Sequence, residues 1–303
     1  MKYQFLIPYT VGGTTCKEAH LLEDLNGISE KIIKDKTPGK PYTWIARVLT
    51  ATIESIGGTE VYNAVASKYH TKGVLKLEDI PEVVKKMAFA DASNLLVESH
   101  RQLWADTLKE QSVTCMVCHK QFDADLELNR IDFREEDKQA AELLREAAKA
   151  GETGFSIVVD LVKGLTIDWI KVQGNESKSS LGEYAGAKIT QLIYRPATLG
   201  DYLLREDLVE DEVQFDRAIA FDTCVGVTVK LPNGEEVKNA PMALITSMGN
   251  ALYDMKLSRK DLAVISEKLF TTIPVMPLYY KDTCPCPKRL DIPITCNPAS
   301  FFG

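Results

Sequence analysis

Uninterrupted apolar sequence is scarce in this chain. No stretch approaches the roughly 18 residues that a membrane-spanning helix needs. The opening run from Met1 to Ile7 is cut by Pro8 well before a signal-peptide core is complete. Export by a standard signal and a membrane partner are therefore not expected. Basic charge is also in short supply: 36 Lys and Arg stand against 43 Asp and Glu, giving a net charge of −7. An extended nucleic-acid face needs clustered cations to neutralise phosphates, so nucleic acid is not an expected partner. Catalytic signatures are missing as well. There is no nucleophile elbow, no zinc-protease helix motif and no phosphate-binding glycine loop. Gly12-Gly13 is a turn, too short for a dinucleotide fingerprint, and His20, His70 and His100 stand apart. The carboxylate runs Glu135-Glu136-Asp137 and Glu206 to Glu212 read as solvated helix faces or helix starts. The expectation is a protein that is not an enzyme.

What the chain does contain is ordinary globular composition, 45% hydrophobic and 26% charged, which excludes a largely disordered protein. Its 303 residues suit two modules, residues 1–150 and residues 151–303. Seven cysteines, an odd number at uneven spacing, do not make the disulfide framework of a small secreted domain. They fit thiols or metal ligands in a reducing cytoplasm.

Lys2 to Tyr9 has loose alternation and predicts an opening strand that ends at Pro8 and Gly12-Gly13. A helix is expected next, capped by Thr14 or Thr15, with Ala19, Leu21, Leu22 and Leu25 on its apolar side and Asn26-Gly27 at its end. Ile28 to Lys34 predicts a second short helix. Trp44 to Ile56 predicts a third, closed by Gly57-Gly58. The longest helical pattern runs from Pro81 to about Glu110. The period then falls to two residues, with Val113, Cys115 and Val117 followed by Phe122, Ala124, Leu126 and Leu128. That rhythm predicts a hairpin turning at Cys118-His119-Lys120.

Glu135 to Ala150 predicts a helix, Phe155 to Val162 and Ile189 to Tyr194 predict strands, and residues 174–186 a loop. Thr198 opens a capped helix. Pro232-Asn233-Gly234 predicts a hairpin turn between Val225 to Leu231 and Glu235 to Val237. Helices are expected from Pro241 to Met255 and from Ser258 to Phe270, the latter capped by Ser258 with Asp261 three residues on. The tail from Thr271 to Gly303 is rich in proline and cysteine, and its terminal Phe301-Phe302 is expected to pack back on that tail, the alternative being that it enters a partner. The fold class is α+β: a helical N-terminal part, a cysteine-bearing β-hairpin, and a second α+β part with a C-terminal cysteine-rich tail.

The local motif with most chemical content is Cys115-Met116-Val117-Cys118, since two thiolates two residues apart on a tight turn can hold one side of a tetrahedral zinc ion. Two further ligands are needed, and Cys284 and Cys286 in the tail supply them, with His119 and Cys296 as substitutes. The cofactor expected is thus a structural zinc on Cys115, Cys118, Cys284 and Cys286. The alternatives are that Cys115 and Cys118 are buried thiols at a turn, or a thiol-redox or zinc enzyme. Cys16 and Cys224 read as buried small residues.

The helical pattern carrying Phe89-Ala90-Asp91, Leu95-Leu96 and His100-Arg101, followed by Val113 to Cys118 and the alternation from Phe122 to Ile131, resembles a known family. So does the closing order of a cysteine cluster, the apolar run Leu290 to Ile294 and an aromatic pair. Together they look like the baseplate (hub) proteins of T-even-type contractile-tailed bacteriophages, over Pro81 to Arg134 and loosely over the tail. The resemblance implies a structural component of the phage tail baseplate, with other tail or baseplate proteins as partners. It would be found in the host cytoplasm during assembly and then in the virion tail. The alternative is an assembly chaperone absent from the mature particle.

Overall fold

The structure, a computed structural model, describes residues 1–35, 39–103, 107–114, 118–127, 133, 135–151, 154–167, 184–206, 208, 212–240, 244 and 257–274. They form a mixed α+β protein of helices and antiparallel sheets. Two compact units are present, one drawn from Met1–Thr153 and Thr198–Glu206 together with Pro274, the other from Gly154–Ala197 and Asp207–Ile273.

The first unit opens with β1 (Lys2–Val11) and β2 (Thr14–Leu21), paired antiparallel with Val11 opposite Thr14. Gly12 and Gly13 lie between them with φ of 56° and 83°. Two successive left-handed residues make the primed turn whose twist matches its strands, and glycine adopts it without a Cβ clash. That turn corrects the expected helix after Thr14 or Thr15: the chain is sent straight back as a strand, and Cys16, Ala19 and Leu21 face the core from β2. Asn26, expected to end a helix, instead begins one. Its side-chain oxygen accepts from the amides of Ile28 (2.9 Å) and Ser29 (3.2 Å) at the start of α1 (Gly27–Lys34).

α2 (Pro41–Thr52) carries Trp44, Ile45, Val48 and Leu49 into the core and passes directly into β3 (Ile53–Ile56). Gly57 and Gly58, expected to close a helix, form a second hairpin turn at φ of 54° and 81°, pairing Ile56 with Thr59 of β4 (Thr59–Glu60). The sheet order is β1-β2-β3-β4, so the N-terminal part is built on a sheet as well as on helices. α3 (Tyr62–Lys72) follows and ends at Gly73 in the left-handed region.

The long helix expected from Pro81 to about Glu110 is two pieces, α4 (Glu82–Lys85) and α5 (Phe89–Leu103), and residues 107–110 are strand instead, paired across to the next strand. The break has a backbone cause: Ala88 bridges Thr198, and the Met87 carbonyl accepts from the Leu199 amide at 2.9 Å. A carbonyl and a strand-like bridge used outward are lost to a continuous helix. β5 (Thr107–Thr114) and β6 (Gln121–Glu127) then pair as a two-stranded sheet of their own. α6 (Glu135–Lys149) packs on β1, and α7 (Leu199–Glu206) packs on α2.

In the second unit the sheet order is β10-β9-β8-β7, all antiparallel, from β7 (Ile157–Thr166), β8 (Lys188–Tyr194), β9 (Cys224–Lys230) and β10 (Glu236–Val237). Ile157, Val159, Ile189, Leu192, Val227 and Val229 fill its core. The Asn233-Gly234 turn forms as expected, with the Asn233 side chain accepting from the Glu235 amide at 2.9 Å. α8 (Glu212–Thr223) leads into β9, and α9 (Arg259–Thr271) packs on β7 behind its Ser258 cap. The loop expected at 174–186 lies mostly outside the described residues. The helix expected at 241–255 lies outside them except for Leu244, and the tail beyond Pro274 lies wholly outside.

Candidate functional site

The cysteine hairpin is in place. Thr114 pairs with Gln121 and Val113 with Phe122, so residues 115–120 connect the two strands and contain both Cys115 and Cys118 in sequence. Cys118 is half-buried, and His119 beside it has φ 56°, a left-handed conformation that an ordinary side chain adopts in a tight turn. Cys115, Cys284 and Cys286 lie outside the described residues, as does the substitute Cys296. Among the described residues no group of three or more His, Cys, Asp and Glu is arranged to hold a metal ion.

The remaining described thiols are of another kind. Cys16 is fully buried in β2, and burial pushes its thiol up, against a hydrogen bond from Tyr9. Cys224 begins β9 at 3% exposure, and burial pushes it up to about 11. A reactive thiol needs a lowered pKa and access, so neither is a nucleophile at neutral pH. The histidines do not converge either: His20 lies 3.2 Å from Glu18 on β2, His70 is exposed on α3, and His100 is buried on α5.

A carboxylate with a raised pKa is Asp91, fully buried on α5. It accepts from the Tyr3 hydroxyl at 2.9 Å and from the amides of Leu6 and Ile7 at 2.8 and 3.0 Å. The reason for this arrangement lies in β1. Its pairing with β2 breaks between Gln4 and Tyr9, where Pro8 has no amide to offer and four consecutive residues, Phe5 to Pro8, turn inward. Amides that leave the ladder in a dry core need another acceptor, and Asp91 is that acceptor. Burial pushes its carboxyl up to about 6, opposed by the amides of Leu6 and Ile7, by Tyr3 and by the charge of Arg145. With no exposed oxygen and three donors already engaged, Asp91 holds the strand and has no access to a substrate.

The same device recurs. Lys40 supplies no side-chain cap to α2, and the carboxylate of Glu206, at the end of α7, accepts from the amides of Tyr42 (2.6 Å) and Thr43 (3.0 Å). Tyr202 of α7 stacks on Phe89 with centroids 4.0 Å apart and lies 4.9 Å from Tyr42. In the second unit Asp261 accepts from the Lys163 amide at 2.8 Å where β7 bulges away from β8. Burial acts to raise its pKa. The Lys163 amide, the Ser258 hydroxyl and the amides of Val162 and Gly164 outweigh that and hold the carboxyl below its usual range.

The sequence pattern places Glu206 on a solvated helix face or helix start, which its position at the end of α7 and its capping of α2 correct. It places Asp261 beside the Ser258 cap without its Lys163 partner. Asp91 leaves a trace there. It falls midway between Met87 and Leu95 at helical spacing, a charge on an apolar stripe. Glu206 and Asp261 leave none that marks their remote partners. No helix among the described residues is long and apolar enough to cross a membrane. Comparison with family models, curated proteins and solved structures finds no match to this chain.

Proposed function

We propose that the chain is a structural component of a contractile phage tail baseplate, at its hub, and acts through protein–protein contacts and not through catalysis. The observation that carries the reading is the order α5, then a two-stranded ribbon with Cys118 and His119 in its connection, over the span that resembles the baseplate hub family. Two strands by themselves are marginal in water, so such a ribbon gains stability from a staple or from a partner. A zinc ion on Cys115, Cys118, Cys284 and Cys286 would be the staple, because binding free energy at a structural site is also folding free energy. The carboxylates described above serve the backbone, which accords with a scaffold. In this role the chain resides in the host cytoplasm during assembly and then in the virion tail, beside other tail or baseplate proteins.

Mass-spectrometric quantification of the chain in purified contractile-tailed particles tests the placement. A stoichiometric amount relative to other baseplate proteins is expected. Absence from particles, with transient binding to a tail protein in infected cells, would instead indicate an assembly chaperone. No association with any tail protein at either stage overturns the phage reading.

A further inference from the structure

A second feature of the first unit lies away from the cysteine hairpin. β1, β2 and α6 enclose a cleft of about 360 Å³ lined by Gln4, Phe5, Lys17, Glu18, Arg145, Ala148 and Lys149. Its apolar lining comes from Phe5, itself almost fully buried, and from Ala148. Its walls are cationic: Lys17 stands exposed on β2, and Arg145 and Lys149 are one helical turn apart on α6, on the face that also carries Ala148. Glu18 is the lining's one carboxylate, and its charge is already met. It pairs with Lys2, accepts from Gln4 at 2.8 Å and lies 3.2 Å from His20. The hydrogen bonds from Lys2 and Gln4 hold its carboxyl down at about 2.

Among the described residues no carboxylate forms an ion pair with Lys17, Arg145 or Lys149. Arg145 is nonetheless fixed in direction. Its guanidinium stands 5.6 Å from the centroid of the buried Phe133 ring, and its charge is felt by the buried Asp91. A chain of net charge −7 thus carries a small, mainly cationic cleft whose lining also includes Phe5 and Ala148.

The geometry points to a docking site for an acidic segment of a protein partner, one carboxylate side chain set among Lys17, Arg145 and Lys149 beside Ala148. A cleft of this size takes a side chain or two, and a lining with three cationic residues and one already paired carboxylate complements a carboxylate in charge. A nucleic-acid backbone would present its phosphates far beyond the cleft to an acidic body that repels them. The inference rests on the reading of the chain as a protein-binding component, but its test is separate from the particle experiment.

Fluorescence anisotropy of a labelled hexaglutamate peptide against the full chain at low salt reads the site directly, with hexaglutamine as the uncharged control. Binding of hexaglutamate and not of hexaglutamine is expected. The double variant Lys17→Glu, Lys149→Glu should weaken it at least tenfold, and Lys17→Arg, Lys149→Arg should retain it. Both lysines are exposed, and an unchanged far-UV spectrum checks that the fold survives. Absence of hexaglutamate binding to the wild-type chain, or equal binding by the charge-reversed variant, overturns the proposal whatever the particle experiment gives.

Discussion

Replacing Asp91 by Ala removes the acceptor that, among the described residues, serves the Leu6 and Ile7 amides and the Tyr3 hydroxyl. Each buried donor left without a partner costs about 1.5 kcal/mol, so three cost about 4–5 kcal/mol. The wild-type carboxylate carries its own penalty, because its folded pKa of about 6 lies above the ordinary value for Asp. A carboxyl raised on folding contributes stability that is fully present below the unfolded pKa and is lost as pH rises through the folded one. The rise of roughly two units corresponds to about 3 kcal/mol, lost between about pH 4 and pH 7. The destabilisation by Asp91→Ala should therefore be about 4–5 kcal/mol at pH 4 and shrink to about 1–2 kcal/mol at pH 7. Glu18, Asp79 and Asp261 have lowered pKa values, so their stabilisation is lost as pH falls below this window. Hydrogen exchange of the β1 segment, corrected for intrinsic rates, gives the local opening free energy in wild type and variant. A difference that stays flat or grows from pH 4 to pH 7 would refute the assignment of Asp91 as a buried, raised acceptor.

Further perturbations address the other parts of the fold. Glu206→Ala should lower the urea midpoint of the first unit by the equivalent of about 1–2 kcal/mol, since α2 loses its only acidic cap, with Glu206→Gln intermediate. Equal midpoints for Glu206→Ala and wild type would remove the capping role. Cys115→Ser and Cys284→Ser should each release zinc, read by elemental mass spectrometry of the purified chain, and should destabilise it, whereas Cys16→Ser should leave the metal in place. Equal and mild effects from all three substitutions would sink the knuckle.

Features fixed by neighbours in sequence could be read in advance, and features fixed by distant backbone could not. Asn233-Gly234 and the Ser258 cap depend on hydrogen bonds spanning two or three residues, to Glu235 and Asp261, and both formed as expected. The hairpin around Cys118 was legible for the same reason, since alternation on either side of a short connection is local information. The two Gly-Gly pairs were not fully legible. The residues after Gly12-Gly13 carry apolar positions compatible with either period, and only the sheet partner decides for a strand. Gly57 adds a packing reason, because a Cβ there would lie 3.2 Å from the Cys16 sulfur on the neighbouring strand. The pattern from Pro81 predicts one piece because nothing between Lys86 and Ala88 betrays that Thr198 and Leu199 draw the backbone outward.

The carboxylates show why a site of this kind escapes pattern reading. Asp91 lies 85 and 84 residues from Leu6 and Ile7, Glu206 lies 164 and 163 from Tyr42 and Thr43, and Asp261 lies 98 from Lys163. In each case the sequence shows an acid and, far away, a backbone whose need for an acceptor arises only once a strand bulges or a helix starts without a cap. A buried acid on an apolar stripe is often taken as a catalytic candidate because its pKa is perturbed. Here the same perturbation follows from holding backbone amides in a dry core. Exposure separates the two cases: Asp91 and Asp261 are both fully buried, whereas a group that acts on a partner must reach the surface. The exposed lysines of the β1–β2–α6 cleft meet that condition.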